Sequence, residues 1–358
     1  MLAYQNNKKA KSMKKRRTSL SKDKLHTLRN KLHIEGHLLL LTCAFIVIAV
    51  FFGITTPRFF KPESIVSMAF QCPEIGLMAL GMMSTMIIGG INLSINDTAN
   101  LSALLSGIFL AKIVPSNIPA NQMTMYIGGA MIIALLVGFV CGVLNGFLVG
   151  HIEVSPILAT LATLILFRGI SVAITGGKTL TGFPEQLSVI GHNTVLGIPI
   201  PFLILLVIAG LLYIILNRTT LGFKTRMMGT NPNASRFSGI NNKAITMKIY
   251  IISGVLGAIA GIIVMSRTNS AAYEYGTRTY ILLTLLIAVL GGVSPGFGNV
   301  AGVVLAVFIL QMLSTGFHML LMGVRGSAFF KDFSWGVLLI LFLIIGYFMR
   351  GRKGSEQS

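Results

Sequence analysis

Of 358 residues, 54% are hydrophobic and 11% charged, and the mean hydropathy is +0.80. Soluble domains spend about 25% of their residues on Asp, Glu, Lys and Arg. Half that charge, beside 39 Gly, 22 Phe and 18 Met, excludes an ordinary cytosolic enzyme, a disordered chain and a collagen-like fibre. The net charge of +19 is segregated, with eleven of the 29 Lys and Arg before residue 32. Basic flanks beside apolar runs are the signature of cytoplasmic segments, not of a nucleic-acid surface. The chain reads as an all-α polytopic membrane protein.

The first 36 residues are basic and lack an apolar core segment, so they read as a cytoplasmic tail and not as a cleavable signal. Runs of about 20 apolar residues match a hydrocarbon core of about 30 Å. They predict spans at 37–55, 64–89, 95–114, 124–150, 154–175, 199–217, 246–266, 279–293, 299–322 and 333–349. About ten spans, an even number, place both termini on one side, and the tail 350–358 with Arg350, Arg352 and Lys353 is also expected to be cytoplasmic. The same count makes 218–245 a cytoplasmic loop. From Arg218 to Lys248 it carries six Lys and Arg and no acid, an independent sign of the same sidedness.

Several spans are interrupted. The second holds Cys72-Pro73-Glu74, and the chain breaks at Gly89-Gly90 before Ile91-Asn92-Leu93-Ser94. Irregular backbone at membrane depth survives where protein buries it or where it lines an aqueous cavity, and interrupted helices point to a transport path. A kink at Pro73 and an ordinary loop at 89–98 read equally well. Glu74 is the most conspicuous ion in the membrane body and a candidate for the substrate path, as a gate, a hydroxyl acceptor or a proton relay. A paired or protonated structural Glu fits the same residue. Asn92, Ser94, Asn96, Asp97, Asn100 and Ser102 form a polar cluster at the start of the third span. Such amides and hydroxyls suit a neutral polyhydroxy solute, or a hydrogen-bonded packing network.

Gly138, Gly142, Gly146 and Gly150 recur every fourth residue on the fourth span, and Ser253, Gly257 and Gly261 repeat the spacing on the seventh. Small residues on one ridge let helix backbones approach closely, so helix packing is the role expected of them.

No metal site, disulfide framework or catalytic constellation is visible. Cys43, Cys72 and Cys141 lie in apolar stretches and the six His are scattered. Gly176-Gly177-Lys178-Thr179 ends like a phosphate-binding loop, but Val172 stands where its first glycine is required. The chain is therefore expected to have no nucleotide site of its own and to be no enzyme. The most specific local signal lies in the basic loop. There Asn231 reads as a helix N-cap, Pro232 as the first helical residue and Gly239 as a left-handed stop. A helix of about two turns is marginal alone in water and is expected to dock on a cytoplasmic partner.

At these residues the chain resembles the ribose/xylose/galactose-type permeases of ATP-binding-cassette (ABC) importers. Asn231-Pro232 through Ser238-Gly239-Ile240 resembles that family's Asn-Pro-x-Ala-Ala-x-x-Ser-Gly-Ile coupling segment. Gly89-Gly90-Ile91-Asn92-Leu93-Ser94 resembles its Gly-Gly-Ile-Asp-Leu-Ser motif. Pro156 through Arg168-Gly169 and Gly291-Gly292-Val293-Ser294 match two further stretches, so the four fall in register between about 65 and 345. The resemblance implies a ten-helix ABC permease domain over 37–349 that pairs with a second copy or paralogue in the bacterial cytoplasmic membrane. It implies a cytoplasmic ATPase that holds the ATP and Mg, and an extracytoplasmic sugar-binding protein. Asn231, Pro232, Ala234, Arg236, Ser238, Gly239 and Ile240 would form the ATPase-coupling helix, and Glu74, Asn92, Ser94 and Asp97 the substrate path. Asn92 departs from the family's Asp, and Asn233 from its frequent Glu. The cargo implied is a monosaccharide or related polyol, with autoinducer sugars, nucleosides and inositol as alternatives. An ion-gradient transporter using Glu74 and Asp97 is the rival mechanism.

Overall fold

The computed structural model describes residues 37–114, 119–276 and 279–321, and beyond these only 330, 333, 335–337, 340 and 344. The N-terminal tail, the C-terminal tail and most of the expected tenth span therefore lie outside the described residues.

The described chain is almost wholly helical. In order come α1 (His37–Thr55), α2 (Pro62–Ile87), α3 (Ile95–Ile108) with a π-helical continuation (Phe109–Ile113), α4 (Ala120–Gly150) and α5 (Pro156–Thr175). A short α6 (Glu185–His192) precedes α7 (Ile200–Arg218), α8 (Thr220–Thr230), α9 (Pro232–Phe237), α10 (Asn242–Thr268), α11 (Thr279–Leu290) and α12 (Val300–Leu320). Seven of these are long and apolar enough to cross a membrane: α1, α2, α4, α5, α7, α10 and α12. α3 and α11 are shorter, with 14 and 12 residues, so the expected count of about ten includes two helices that fall short of a full span. α6 was not anticipated. It caps the loop 176–198 beside two-residue strands, Leu180–Thr181 pairing with Ser270–Ala271 and Thr194–Val195 with Ile198–Pro199.

α10 is the centre of the bundle, with 78% of its apolar window buried against 11% for α1. It lies antiparallel to α4 along the glycine ridge. A Cβ on Gly138 would meet the Gly254 carbonyl oxygen at 2.5 Å, on Gly142 the Ile251 Cα at 2.6 Å, on Gly146 the Met247 Cα at 2.9 Å and on Gly150 the Lys243 carbonyl oxygen at 3.1 Å. Any larger residue there would push the backbones apart. Gly257 and Gly261 seat the same helix against Ile95 and Ala99 of α3. Contact of this kind replaces the hydrophobic drive that a lipid solvent does not supply between helices. The outer faces stay apolar and exposed, as at Val47 and Val50 of α1, Leu158 and Ile165 of α5, and Val207 and Leu211 of α7.

Pro73 does not end α2. The helix runs through it unbroken to Ile87, although the ring removes the bond that residue 73 would donate to the Ala69 carbonyl. The true break follows at 88–94, where Gly89 takes a φ of +84° and Asn92 and Ser94 are buried. Gly89 itself is exposed, but the polar groups of Ile91, Asn92 and Ser94 are met by α4, α5 and α10.

Candidate substrate path and docking helix

Two polar clusters and one projecting helix stand out from the apolar bundle. The first cluster is Glu74. Its side chain is buried in mid-α2 and ion-pairs with Arg267 on the last turn of α10. The Tyr275 and Tyr280 hydroxyls both donate to Glu74 Oε2 at 3.1 Å, and Arg267 Nη2 donates to Tyr275 Oη at 3.1 Å. The tyrosines meet edge to face with ring centroids 5.6 Å apart. The segment carrying them is tied to α3, because Asn96 Nδ2 donates to the Tyr275 carbonyl (3.0 Å) and Asn100 Nδ2 to the carbonyls of Tyr273 (3.1 Å) and Tyr275 (2.9 Å).

Glu74, Arg267 and Tyr280 line a small cavity of about 60 Å³ together with Gln71, Gln311 and Ser314 and the apolar Ile75, Leu283 and Leu310. Gln311 Nε2 donates to Gln71 Oε1 at 3.1 Å, bridging α12 to α2. A cavity needs about 10–15 Å³ for one water, so this one holds a few waters and no sugar. Gln71 and Arg267 also line an open groove that runs past Glu63, Ser67, Phe70 and His192 between α2 and α6. Gln71 and Arg267 are thus common to the walls of the groove and the cavity.

The second cluster joins four elements, the 88–94 segment with α4, α5 and α10. Asn92 Nδ2 donates to Ser253 Oγ (2.9 Å) and Asn92 Oδ1 accepts from the Ser94 hydroxyl (2.9 Å). Asn145 Nδ2 donates to Ser94 Oγ (2.8 Å), and Thr163 Oγ1 donates to Asn145 Oδ1 (2.6 Å). Thr160 Oγ1 holds the Ile91 carbonyl at 2.9 Å. Beside this chain, Asp97 accepts two bonds from Arg168 of α5, at 2.9 and 3.2 Å. Asn92 and Ser94 come together in one network, Asp97 sits next to it on Arg168, and Glu74 belongs to the other cluster. The four path residues expected from the sequence thus do not share one cavity.

Sequence reasoning missed Arg267, Tyr275, Tyr280, Gln71, Gln311, Asn145 and Thr163 as members of these clusters. Arg267 carried a signal, since an Arg at the end of an apolar span, eight residues before Tyr275, is a charge in search of a partner. The amides and hydroxyls carried none, being spread one to a helix.

The helix in the basic loop forms at Pro232–Phe237, a turn and a half. Asn231 Oδ1 accepts from the Ala234 amide at 3.0 Å, Pro232 is the first helical residue, and Gly239 adopts φ +78°. The Ile240 amide closes the end on the Ser235 carbonyl at 3.1 Å. Only Ser235 of this helix is buried. Its hydroxyl donates to Asn242 Oδ1 at 2.8 Å, while Asn242 Nδ2 returns a bond to the Pro232 carbonyl at 2.9 Å. Ala234, Arg236 and Ser238 are exposed, and Phe237 is 93% exposed. The helix is fastened to the bundle on one side and bare on the other.

This architecture defines a helical membrane permease, and sequence comparison agrees. Residues 64–346 match the family described as branched-chain amino acid transport system / permease component, and the chain belongs to that family. The ribose import permease protein RbsC of Bacillus subtilis is 29% identical over 330 residues, covering 90% of this chain and 97% of that protein. The autoinducer 2 import system permease protein LsrD of an Enterobacter species is 31% identical over 297 residues, covering 81% and 86%. The RbsC of Haemophilus influenzae is 31% identical over 283 residues, covering 77% and 84%. No solved structure gives a significant match.

Proposed function

We propose that the chain is the membrane-spanning subunit of an ATP-driven importer, moving a monosaccharide or related polyol across the cytoplasmic membrane by alternating access. The observation that carries this reading is α9: a helix too short to stand alone, capped at both ends, with Phe237 93% exposed at its tip. An unsupported apolar ring at the end of a fixed helix fits a cleft on a soluble partner, and a cytoplasmic ATPase is that partner. Asn231 through Ile240 are its docking residues. The basic α8–α9 end then faces the cytoplasm, with both termini, and α6 faces outward, where a sugar-binding protein would deliver cargo. ATP and Mg belong to the ATPase, and two permease copies or paralogues flank the path.

The cargo reading rests on the relatives and on the chemistry of the Glu74 cluster. Ribose and autoinducer 2 are the cargoes named for the relatives above. Phenols, primary amides, a carboxylate and a guanidinium are also the groups that exchange hydrogen bonds with a polyol. An aliphatic amino acid would call for a dry apolar pocket. On this reading the Glu74–Arg267 pair, whose Arg267 lines both the small cavity and the groove beside α6, is the gate that cargo must pass. The Asn92–Ser94–Asn145 network takes the packing role, and Asp97 is held by Arg168.

The test is purification of the solubilised protein with its neighbours, comparing wild type with Pro232→Ala/Gly239→Val. An ATPase retained by wild type and lost from the variant is the expected result. An ATPase bound equally by both removes α9 as the docking element. Competition of uptake by ribose but not by leucine is expected, and the reverse overturns the cargo reading.

A further inference from the structure

The docking helix is joined to the bundle by α8, and the last turn of α8 rests on bare backbone. Gly229 lies directly against the carbonyl oxygen of Ile87, the final residue of α2, and against the amide of Gly296 in the turn between α11 and α12. Those two groups are themselves bonded, the Gly296 amide donating to the Ile87 carbonyl at 2.8 Å. A Cβ on Gly229 would overlap both. Gly296, at φ +80°, is pressed in turn against Thr230. Arg226 straps the same joint one turn back, with Nη2 donating to the Gly298 carbonyl at 3.3 Å and also to Asn217.

Asn231 makes α8 and α9 one piece. Its amide closes α8 on the Met227 carbonyl at 3.1 Å while its side chain opens α9. From Ile87 the unbroken α2 leads back to Glu74, thirteen residues away or about 20 Å along the axis. Between the docking helix and the ion pair there is thus a path with no long flexible side chain until Glu74 itself.

We infer that the Gly229–Ile87–Gly296 joint transmits motion of the docking helix to α2 and so opens the Glu74–Arg267 pair. The inference rests on the ATP-driven reading above. Interiors packed at crystal-like density pass on displacement. Side chains at a joint absorb displacement by changing rotamer, whereas backbone meeting backbone has no such freedom. That is the reason for glycine on both sides of the contact. Arg226 keeps the surfaces from parting on the return stroke. Ala is a better helix former than Gly, so Gly229→Ala leaves α8 at least as helical and alters the joint alone.

The experiment reconstitutes the full complex with its ATPase in proteoliposomes and measures sugar moved per ATP hydrolysed, for wild type, Gly229→Ala and Arg226→Gln. The expected result is an ATPase that still co-purifies in full, hydrolysis that persists, and a transport ratio lowered about fivefold or more by Gly229→Ala and less by Arg226→Gln. A ratio equal to wild type overturns the inference, and so do uptake and hydrolysis that fall together at constant ratio. If Gly229→Ala fails to assemble, the ratio in Arg226→Gln decides alone by the same criterion. Absence of any ATPase from the wild-type preparation is a different failure. It overturns the importer reading itself, and the joint's role falls with it.

Discussion

Glu74 and Arg267 form an ion pair in which the carboxylate, in mid-α2, is almost fully buried and the guanidinium, at the end of α10, is about one quarter exposed. The pair joins α2 to α10, and two tyrosine hydroxyls complete it. Removing one partner strands a buried charge. Arg267→Ala is expected to destabilise the detergent-solubilised protein by about 3 kcal/mol, and Glu74→Gln with Arg267→Gln together by less. Thermal unfolding monitored by tryptophan fluorescence or aggregation checks the order. A double variant less stable than Arg267→Ala contradicts it.

The glycine ridge gives a prediction with its own control. A Leu at position 142 has no room, because the Ile251 Cα lies 2.6 Å from where the Cβ would be. Gly169 on α5 has nothing within 4 Å of its Cβ position. Gly142→Leu is expected to lose the folded, monodisperse protein in size-exclusion chromatography, and Gly169→Leu to retain it.

The amide and hydroxyl network is expected to contribute modestly per bond. Interhelical hydrogen bonds in a membrane average about 0.6 kcal/mol, so Thr163→Val should cost about that much. Asn145→Leu breaks two links, the bond to Ser94 Oγ and the bond from Thr163 Oγ1, for a cost of about 1–3 kcal/mol. Chemical or thermal denaturation of the pair of variants measures the difference.

Asp97 bears on the rival mechanism. It is held by two bonds from Arg168, and on the ATP-driven reading proposed above its role is structural. Asp97→Asn is therefore expected to lower stability and expression while leaving the dependence of uptake on proton or sodium gradients unchanged. An altered ion dependence would restore Asp97 to the path.

What could be read in the sequence was what local chemistry fixes. The ridge at Gly138–Gly150 shows in a period of four, and so does the ridge of Ser253, Gly257 and Gly261, whose two glycines pack on α3 and not on α4. Asn231, Pro232 and Gly239 specify the start and stop of α9 by rules that act within a few residues, and the structure follows them. The break at Gly89-Gly90 was visible for the same reason, whereas Pro73 lies inside a helix that continues to Ile87. The pairings were not legible. Glu74 meets Arg267, and Asp97 meets Arg168, only after α2, α3, α5 and α10 have packed, and residue spacing along the chain carries no trace of that. Span boundaries were blurred for a local reason, since α3 and α11 have 14 and 12 residues and α3 runs on into a π-helical segment.

The most direct measurement of the central claim is sugar uptake by proteoliposomes that hold the permease, its ATPase and enclosed ATP, with binding protein outside. The account predicts uptake that survives an uncoupler and sodium removal and stops when ATP is withheld. Uptake that collapses with the uncoupler and proceeds without ATP would contradict it and make Glu74 a coupling ion.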